Sequence, residues 1–261
     1  MGNVAIVTGS RTGIGYAVSE MLRDAGWTVY GLSRRGIGAD GVKHLAIDVS
    51  CDAEVESAFA GIAANEGSID LLINNAGMGI SGPVEFTTLD DAEHIMDVNF
   101  RGQFICARAA LPYMRAQGSG RIVCTSSVAA PIAIPYQAFY SASKAAVNAL
   151  ALALRNEVKD FGIEVCAVMP GDASTGFTDA RKKNSSGDEI YIHNASAVAA
   201  MEKDERGGMT PEAVAKVIVK AATVPNPKPL YIAGTKYKFL YALFKFLPAR
   251  TAYWLVGKIY S

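Results

Sequence analysis

The chain has 261 residues, half of them hydrophobic, with 25 basic and 25 acidic side chains and a formal net charge of zero. That length and apolar share are enough for one sizeable core. The balanced charge excludes the basic excess that marks a nucleic-acid-binding chain.

Val4–Thr8 reads as a buried strand that runs into a glycine turn. The helix after it carries Ala17, Val18, Met21, Leu22 and Ala25 at helical spacing and stops near Gly26. Thr28–Ser33 and His44–Asp48 read as the second and third strands. The Arg34–Lys43 link is glycine-rich and too short for a crossover helix, so an irregular connection is expected. Asp52–Glu66 reads as a helix and Ile69–Asn74 as the fourth strand. Leu89–Gln117 keeps helical periodicity with a break near Asn99–Gly102. Gly120–Thr125 follows as the fifth strand, Phe139–Phe161 as a long helix and Glu164–Met169 as the sixth strand. Thr210–Thr223 reads as a helix and Leu230–Ala233 as a short seventh strand. Alternating β and α elements with Val/Ile/Leu-rich strands imply an α/β fold. The expectation is a Rossmann-type, doubly wound, seven-stranded parallel sheet with helices on both faces, in a single domain spanning 1–261. Asp172–Gly208 resists assignment. Its polar centre, Lys182–Gly187, suits either a substrate lid or a disordered surface insertion.

Two stretches carry chemistry. Thr8–Gly15 joins the first strand to the first helix, where glycines let the main chain approach a pyrophosphate and the helix N-terminus favours its charge. Gly9, Arg11, Thr12, Gly13, Ile14 and Gly15 are its candidate cofactor contacts. At the end of the second strand Ser33, Arg34 and Arg35 stand where an acidic residue would select NAD. A guanidinium there pairs with a 2′-phosphate, which favours NADP(H) over NAD(H); the alternative is a pair of solvated arginines. The second stretch is Tyr140-Ser-Ala-Ser-Lys144. A tyrosine and a lysine four residues apart share a helix face. An ammonium beside a phenol favours the phenolate, so Lys144 is expected to lower the Tyr140 pKa and make it an acid–base group. Chance alone also produces such pairs.

Taken in order, these motifs resemble the short-chain dehydrogenase/reductase family over roughly residues 3–233. The resemblance rests on Thr8–Gly15, Asp48-Val49, Asn74–Gly77, Asn99, Ser126-Ser127, Tyr140 with Lys144, and Pro170-Gly171 with Thr175. It implies that Tyr140 is the acid in reduction, that Ser127 rather than Ser126 binds the substrate oxygen, and that Lys144 holds the nicotinamide ribose. Asn99 would bind a water linking Lys144 to solvent. Asp48 and Val49 would flank the adenine, and Asn75, Ala76 and Gly77 would line the cleft. Pro170, Gly171 and Thr175 would hold the nicotinamide end. Two positions depart from the family pattern. Thr12 stands where many NADP-preferring members carry a basic residue, which weakens Arg11 as a phosphate contact. Ala130-Pro131 follows the serines where a glycine is common.

The tail, Gly234–Ser261, also departs from the family. It carries Lys236, Lys238, Lys245, Arg250 and Lys258, eight aromatic residues including Tyr260, and no acidic residue. Leu240, Leu243, Phe244 and Leu247 share a helical face, and Pro248 ends or kinks that helix. It suits a cover over the cleft and core, a peripheral membrane contact through 236–261, or a subunit contact. It resembles the extensions of members acting on steroids, retinoids and other lipophilic substrates. Tyr136, Phe139, Met78 and Phe177 are expected near the cleft.

The leading expectation is an NADP(H)-dependent oxidoreductase of a hydrophobic ketone or secondary alcohol. The alternatives are a non-catalytic NADP-binding regulator and a reductase of small carbonyl or 3-oxoacyl substrates. No metal or nucleic-acid partner is expected. A homodimer through the Phe139–Phe161 helix is expected from the resemblance. The cysteines Cys51, Cys106, Cys124 and Cys166 form no CxxC pair; three of them sit in apolar or strand-like runs and read as core residues, which fits a reducing compartment. No apolar run is long enough to span a membrane, and no charged leader precedes Val4–Val7, so a cytoplasmic or peripheral location is expected. Met1-Gly2 resembles a myristoylation start, but Ile6 stands where that motif needs a hydroxyl residue.

Overall fold

Val4–Thr8 (β1) is buried along its whole length because its side chains alternate between two cores. Val4 and Ile6 pack with Phe59, Leu72, Ile122 and Val147 on one face. Ala5 and Val7 pack with Leu22, Ile73, Val214 and Ile218 on the other. The computed structural model describes residues 3–259. Met1-Gly2, with its myristoylation reading, and Tyr260 of the tail lie outside the described residues.

The chain runs from β1 through α1 (Gly13–Asp24), β2 (Thr28–Ser33), β3 (Lys43–Ala46), α2 (Asp52–Glu66) and β4 (Leu71–Asn74). A two-residue strand β5 (Ile80–Ser81) and α3 (Leu89–Met96) lead into α4 (Gly102–Gln117). Then come β6 (Gly120–Thr125), α5 (Ala138–Glu157), β7 (Ile163–Pro170), the one-turn α6 (Phe177–Ala180) and β8 (Lys182–Lys183). The last elements are α7 (Asn194–Arg206), α8 (Pro211–Thr223), β9 (Leu230–Ala233), α9 (Thr235–Phe246) and α10 (Ala249–Ile259). The expected seven-stranded sheet forms in the order β3-β2-β1-β4-β6-β7-β9, and all of its pairings are parallel. The order reverses between β1 and β4, so a crevice opens at their carboxyl ends.

Several boundaries move. The third strand ends at Ala46, two residues before the expected limit, and the fourth begins at Leu71 rather than Ile69. The long helix stops at Glu157, followed by a separate 3₁₀ turn at Lys159–Phe161. The break near Asn99 is a π-helical turn over Asp97–Arg101 that keeps α3 and α4 continuous. The disordered-insertion reading of Asp172–Gly208 is overturned, because β8 pairs with β5 and α7 buries Ala197 and Met201. The tail forms two helices joined at Leu247-Pro248, and Phe244 packs edge-on against Tyr253 with ring centres 5.4 Å apart.

Candidate active site

The end of β1 is tied to the end of β4 by one hydroxyl. Thr8 Oγ1 accepts the N–H of Asn75 at 2.9 Å and of Ala76 at 3.0 Å, and Asn75 Nδ2 donates back to the Thr8 carbonyl at 3.1 Å. The next residue, Gly9, has φ of +67°, and a Cβ there would stand 2.9 Å from Ala76 Cα. Only glycine turns the chain there and admits that approach. The two segments open on a cavity of about 1070 Å³.

At one end the cavity is lined by Gly9, Arg11, Thr12, Gly13 and Ile14, with Ser33, Arg34 and Arg35 from the end of β2 and Asp48 and Val49 after β3. Burial works to raise the Asp48 pKa, yet hydrogen bonds from the Ser50 hydroxyl (2.7 Å) and N–H (3.0 Å), with the charge of Arg34, hold it below the usual carboxylate range. Asp48 therefore stays ionised and suits a donor such as an adenine amine. Two lining hydroxyls, Ser33 Oγ and Thr125 Oγ1, are buried without a partner. Such orphans fit a nucleotide that supplies oxygen and nitrogen partners. Asn75, Ala76, Gly77, Pro170, Gly171 and Thr175 line the middle of the cavity.

Tyr140 and Lys144 project from the first turns of α5 and Ser127 follows β6; all three line the same cavity. Burial pushes the Tyr140 pKa up to about 12, and a hydrogen bond with Ser127 partly opposes it. Burial brings the Lys144 pKa down to about 8. Lys144 Nζ donates to the Thr125 carbonyl at 3.0 Å and stands 5.9 Å from the Tyr140 ring centre. The expected lowering of the Tyr140 pKa is not the net result among the protein's own groups, because burial outweighs the charges around it. Desolvation opposes both charged forms, and the buried phenol stays neutral at pH 7. Ser126 donates to the Lys144 carbonyl at 2.9 Å, which leaves Ser127 as the hydroxyl beside the phenol.

Other expected positions need correction. Gly15 does not line the cavity; a Cβ there would lie 2.3 Å from the Gly9 carbonyl oxygen, so its role is close packing of helix on turn. Asn99 is fully buried and outside the lining. Its side chain accepts the Met78 N–H at 2.7 Å and donates to the Met78 carbonyl at 2.9 Å and to Ser143 Oγ at 3.0 Å. Both side-chain N–H groups are committed, so a water between Asn99 and Lys144 would be held by the second lone pair of Oδ1 or by the main chain. Met78 and Phe177 line the cavity as expected, whereas Tyr136 and Phe139 do not. No residue of α9 or α10 lines it either, so the tail does not roof the cleft, although α10 buries Ala252 and Val256. The tail reaches only its edge: Tyr237 packs where a Gly171 Cβ would be, and its hydroxyl donates to Asp172 at 2.5 Å.

Further lining includes Ile134, Asp172, Ala180, Met201 and Glu205. Ala180, Met201 and Glu205 carried no local signal, since α6 and α7 lie in the segment whose pattern was obscured by polar residues. The cysteines behave as core residues: Cys106, Cys124 and Cys166 are buried, which pushes each thiol up to about 12.

A parallel sheet that reverses beside a glycine turn, with a buried tyrosine, serine and lysine in one cavity, defines a dinucleotide-dependent oxidoreductase. The profile of a family described as short chain dehydrogenase matches residues 3–186. The chain is 40% identical over 230 residues to a 3-ketodihydrosphingosine reductase of Bacteroides thetaiotaomicron, covering 86% of this chain and 85% of that one. It is 31% identical to the NADPH-dependent 1-acyldihydroxyacetone phosphate reductase of Saccharomyces cerevisiae, covering 98% of this chain and 89% of the relative. A short-chain dehydrogenase from Streptomyces avermitilis superposes with a TM-score of 0.86 at 28% identity, over 99% of this chain and 97% of that one. The protein belongs to the short-chain dehydrogenase/reductase family and is an oxidoreductase.

Proposed function

We propose that the protein is an NADPH-dependent reductase of a lipid-like ketone, with Tyr140 as proton donor. The observation that carries this reading is the meeting of the Tyr140 phenol and the Ser127 hydroxyl in the large cavity beside Lys144. Bound NADPH supplies the hydride. As charge grows on the ketone oxygen, Ser127 and Tyr140 stabilise it by hydrogen bonding, and Tyr140 delivers the proton. The phenol is neutral at pH 7, the protonation state that a proton donor needs. Lys144 anchors the cofactor ribose, and Asn99 braces Met78 and Ser143 around it.

Ser33, Arg34 and Arg35 form a basic, hydrogen-bonding pocket for a 2′-phosphate, so the cofactor is NADP(H). The NADPH dependence of the yeast relative supports this assignment. Met78, Ile134, Phe177, Ala180 and Met201 offer an apolar wall, and the names of the two curated relatives point to lipid-like ketones. The α9–α10 pair docks on an anionic membrane surface, a reading favoured by five basic and no acidic residues in 234–261 and by exposed Phe239, Phe246, Trp254 and Ile259. The active form is a dimer paired through α5, whose exposed Ala142, Ala145, Ala149 and Ala153 form a smooth face for close helix approach.

The test is NADPH oxidation with a panel of long-chain ketones, against NADH as control. Tyr140→Phe lowers turnover by about 10²-fold or more while NADPH still binds, as titrated by fluorescence. Retained turnover in Tyr140→Phe would dismiss the proton-donor role, and a preference for NADH would dismiss the Arg34 pocket.

A further inference from the structure

The cavity is polarised in charge. Apart from Lys144, its basic lining residues among the described ones are Arg11, Arg34, Arg35 and His94, gathered around the glycine turn and Asp48. The wall beyond Tyr140 instead presents two carboxylates, Asp172 and Glu205.

Glu205 is held as a built feature. Thr178 Oγ1 donates to one carboxylate oxygen at 2.7 Å, and Arg181 Nη2 donates to the other. The Arg181 side chain is 1% exposed, and its Nε and Nη1 have no protein partner. Its guanidinium lies 5.8 Å from the Phe177 ring centre, and Phe177 lies 5.7 Å from that of Tyr140. Arg181 does not itself line the cavity, so it supports Glu205 from behind. Asp172 is held from the other side by the Tyr237 hydroxyl. Glu205, Arg181 and Asp172 all act on the Tyr140 phenol through space, so they surround the reacting end of the substrate site.

Leaving aside Lys144, which the proposed function assigns to the cofactor ribose, the two carboxylates and the one guanidinium leave one net negative charge on the wall beyond Tyr140, and no other basic side chain lines it. A phosphate or carboxylate head would meet repulsion there, whereas a cation would neutralise the site and find acceptor oxygens. We infer that Glu205, with Asp172, recognises a protonated amine close to the substrate's ketone, and that Thr178, Arg181 and Tyr237 are the positioning residues. This inference rests on the proposed reduction of a lipid-like ketone and names the polar head of that substrate.

The experiment compares three substrates under NADPH: a long-chain ketone with a primary amine near the carbonyl, the same ketone without the amine, and one with a phosphate ester in its place. The amine-bearing ketone is expected to show kcat/KM at least about tenfold above the plain one, as for a charge-assisted hydrogen bond, with the phosphate ester last. Glu205→Gln is expected to collapse the amine-to-plain ratio, through KM more than kcat. If that variant fails to fold, because it strands Arg181, the paired Arg181→Met/Glu205→Gln chain makes the same measurement. Equal use of amine and plain ketones, or preference for the phosphate, overturns the inference and leaves the reductase reading standing. No turnover of any of the three overturns both.

Discussion

Lys144 is the residue on which burial and chemistry pull hardest against each other. An ammonium normally near 10.5 is brought to about 8 because it lies among Tyr140, Thr125 and the buried turns of α5. Between those two values the unfolded chain binds a proton that the folded chain does not, so this group makes stability rise with pH from about 8 to 10.5. Below pH 8 both states are charged and the whole penalty is present. Lys144→Met should therefore be more stable than the native chain at pH 7, by on the order of 1–3 kcal/mol after losing the hydrogen bond to Thr125. The gap should narrow as pH rises from 8 to 10, and calorimetric melts across that range measure it. A variant less stable at every pH would count against a buried ammonium. The glycine turn and the Tyr140–Lys144 pair were legible in the sequence from local spacing, and Ser127 through the family resemblance. Their ionisation was not, because desolvation depends on what the rest of the fold places around them.

Among the elements, α7 and the tail helices separate local from tertiary information. The run from Asn194 to Arg206 is alanine-rich and a good helix former, yet it reads as polar because only Asn194, Ala197 and Met201 face inward. Its value to the site is Glu205, near its last turn, which lines the cavity and is held there by Thr178 and Arg181. The α9–α10 pair shows the opposite case, since its amphipathic pattern was plain while its partner was not. α9 buries no residue, and its fixed point is Tyr237 against Gly171 and Asp172. The exposed apolar residues and five bases are expected to bind vesicles rich in anionic lipid and to leave neutral ones alone. Each of Lys238, Lys245 and Arg250 changed to Glu should weaken that binding roughly fivefold or more, and Phe246→Asp should act without altering soluble turnover. Equal sedimentation with neutral vesicles would refute the electrostatic reading.

At the scale of the molecule, the sheet order brings the carboxyl ends of β1, β4, β6 and β7 to one edge, and the cavity is the crevice above their reversal. The other long surface is α5, whose inner face buries Ser143, Lys144, Val147, Ala151 and Leu154 and whose outer face is a row of alanines. If that face pairs with a second copy, light scattering should give a dimer and Ala149→Arg should give a folded monomer. A native monomer would remove the pairing. Among the described residues no helix is long and apolar enough to cross a membrane. The strand pattern, the switch-point turn and the Tyr140–Lys144 pair followed from hydrophobic period and short-range spacing, which any chain segment carries within itself. The committed side chain of Asn99, the packing role of Gly15, the neutral phenol and the acidic wall of Asp172 and Glu205 came only from folding. The Asn99–Met78, Arg181–Glu205 and Tyr237–Asp172 contacts join residues 21, 24 and 65 positions apart, and Glu205 acts on Tyr140 from 65 positions away; no local pattern encodes that proximity.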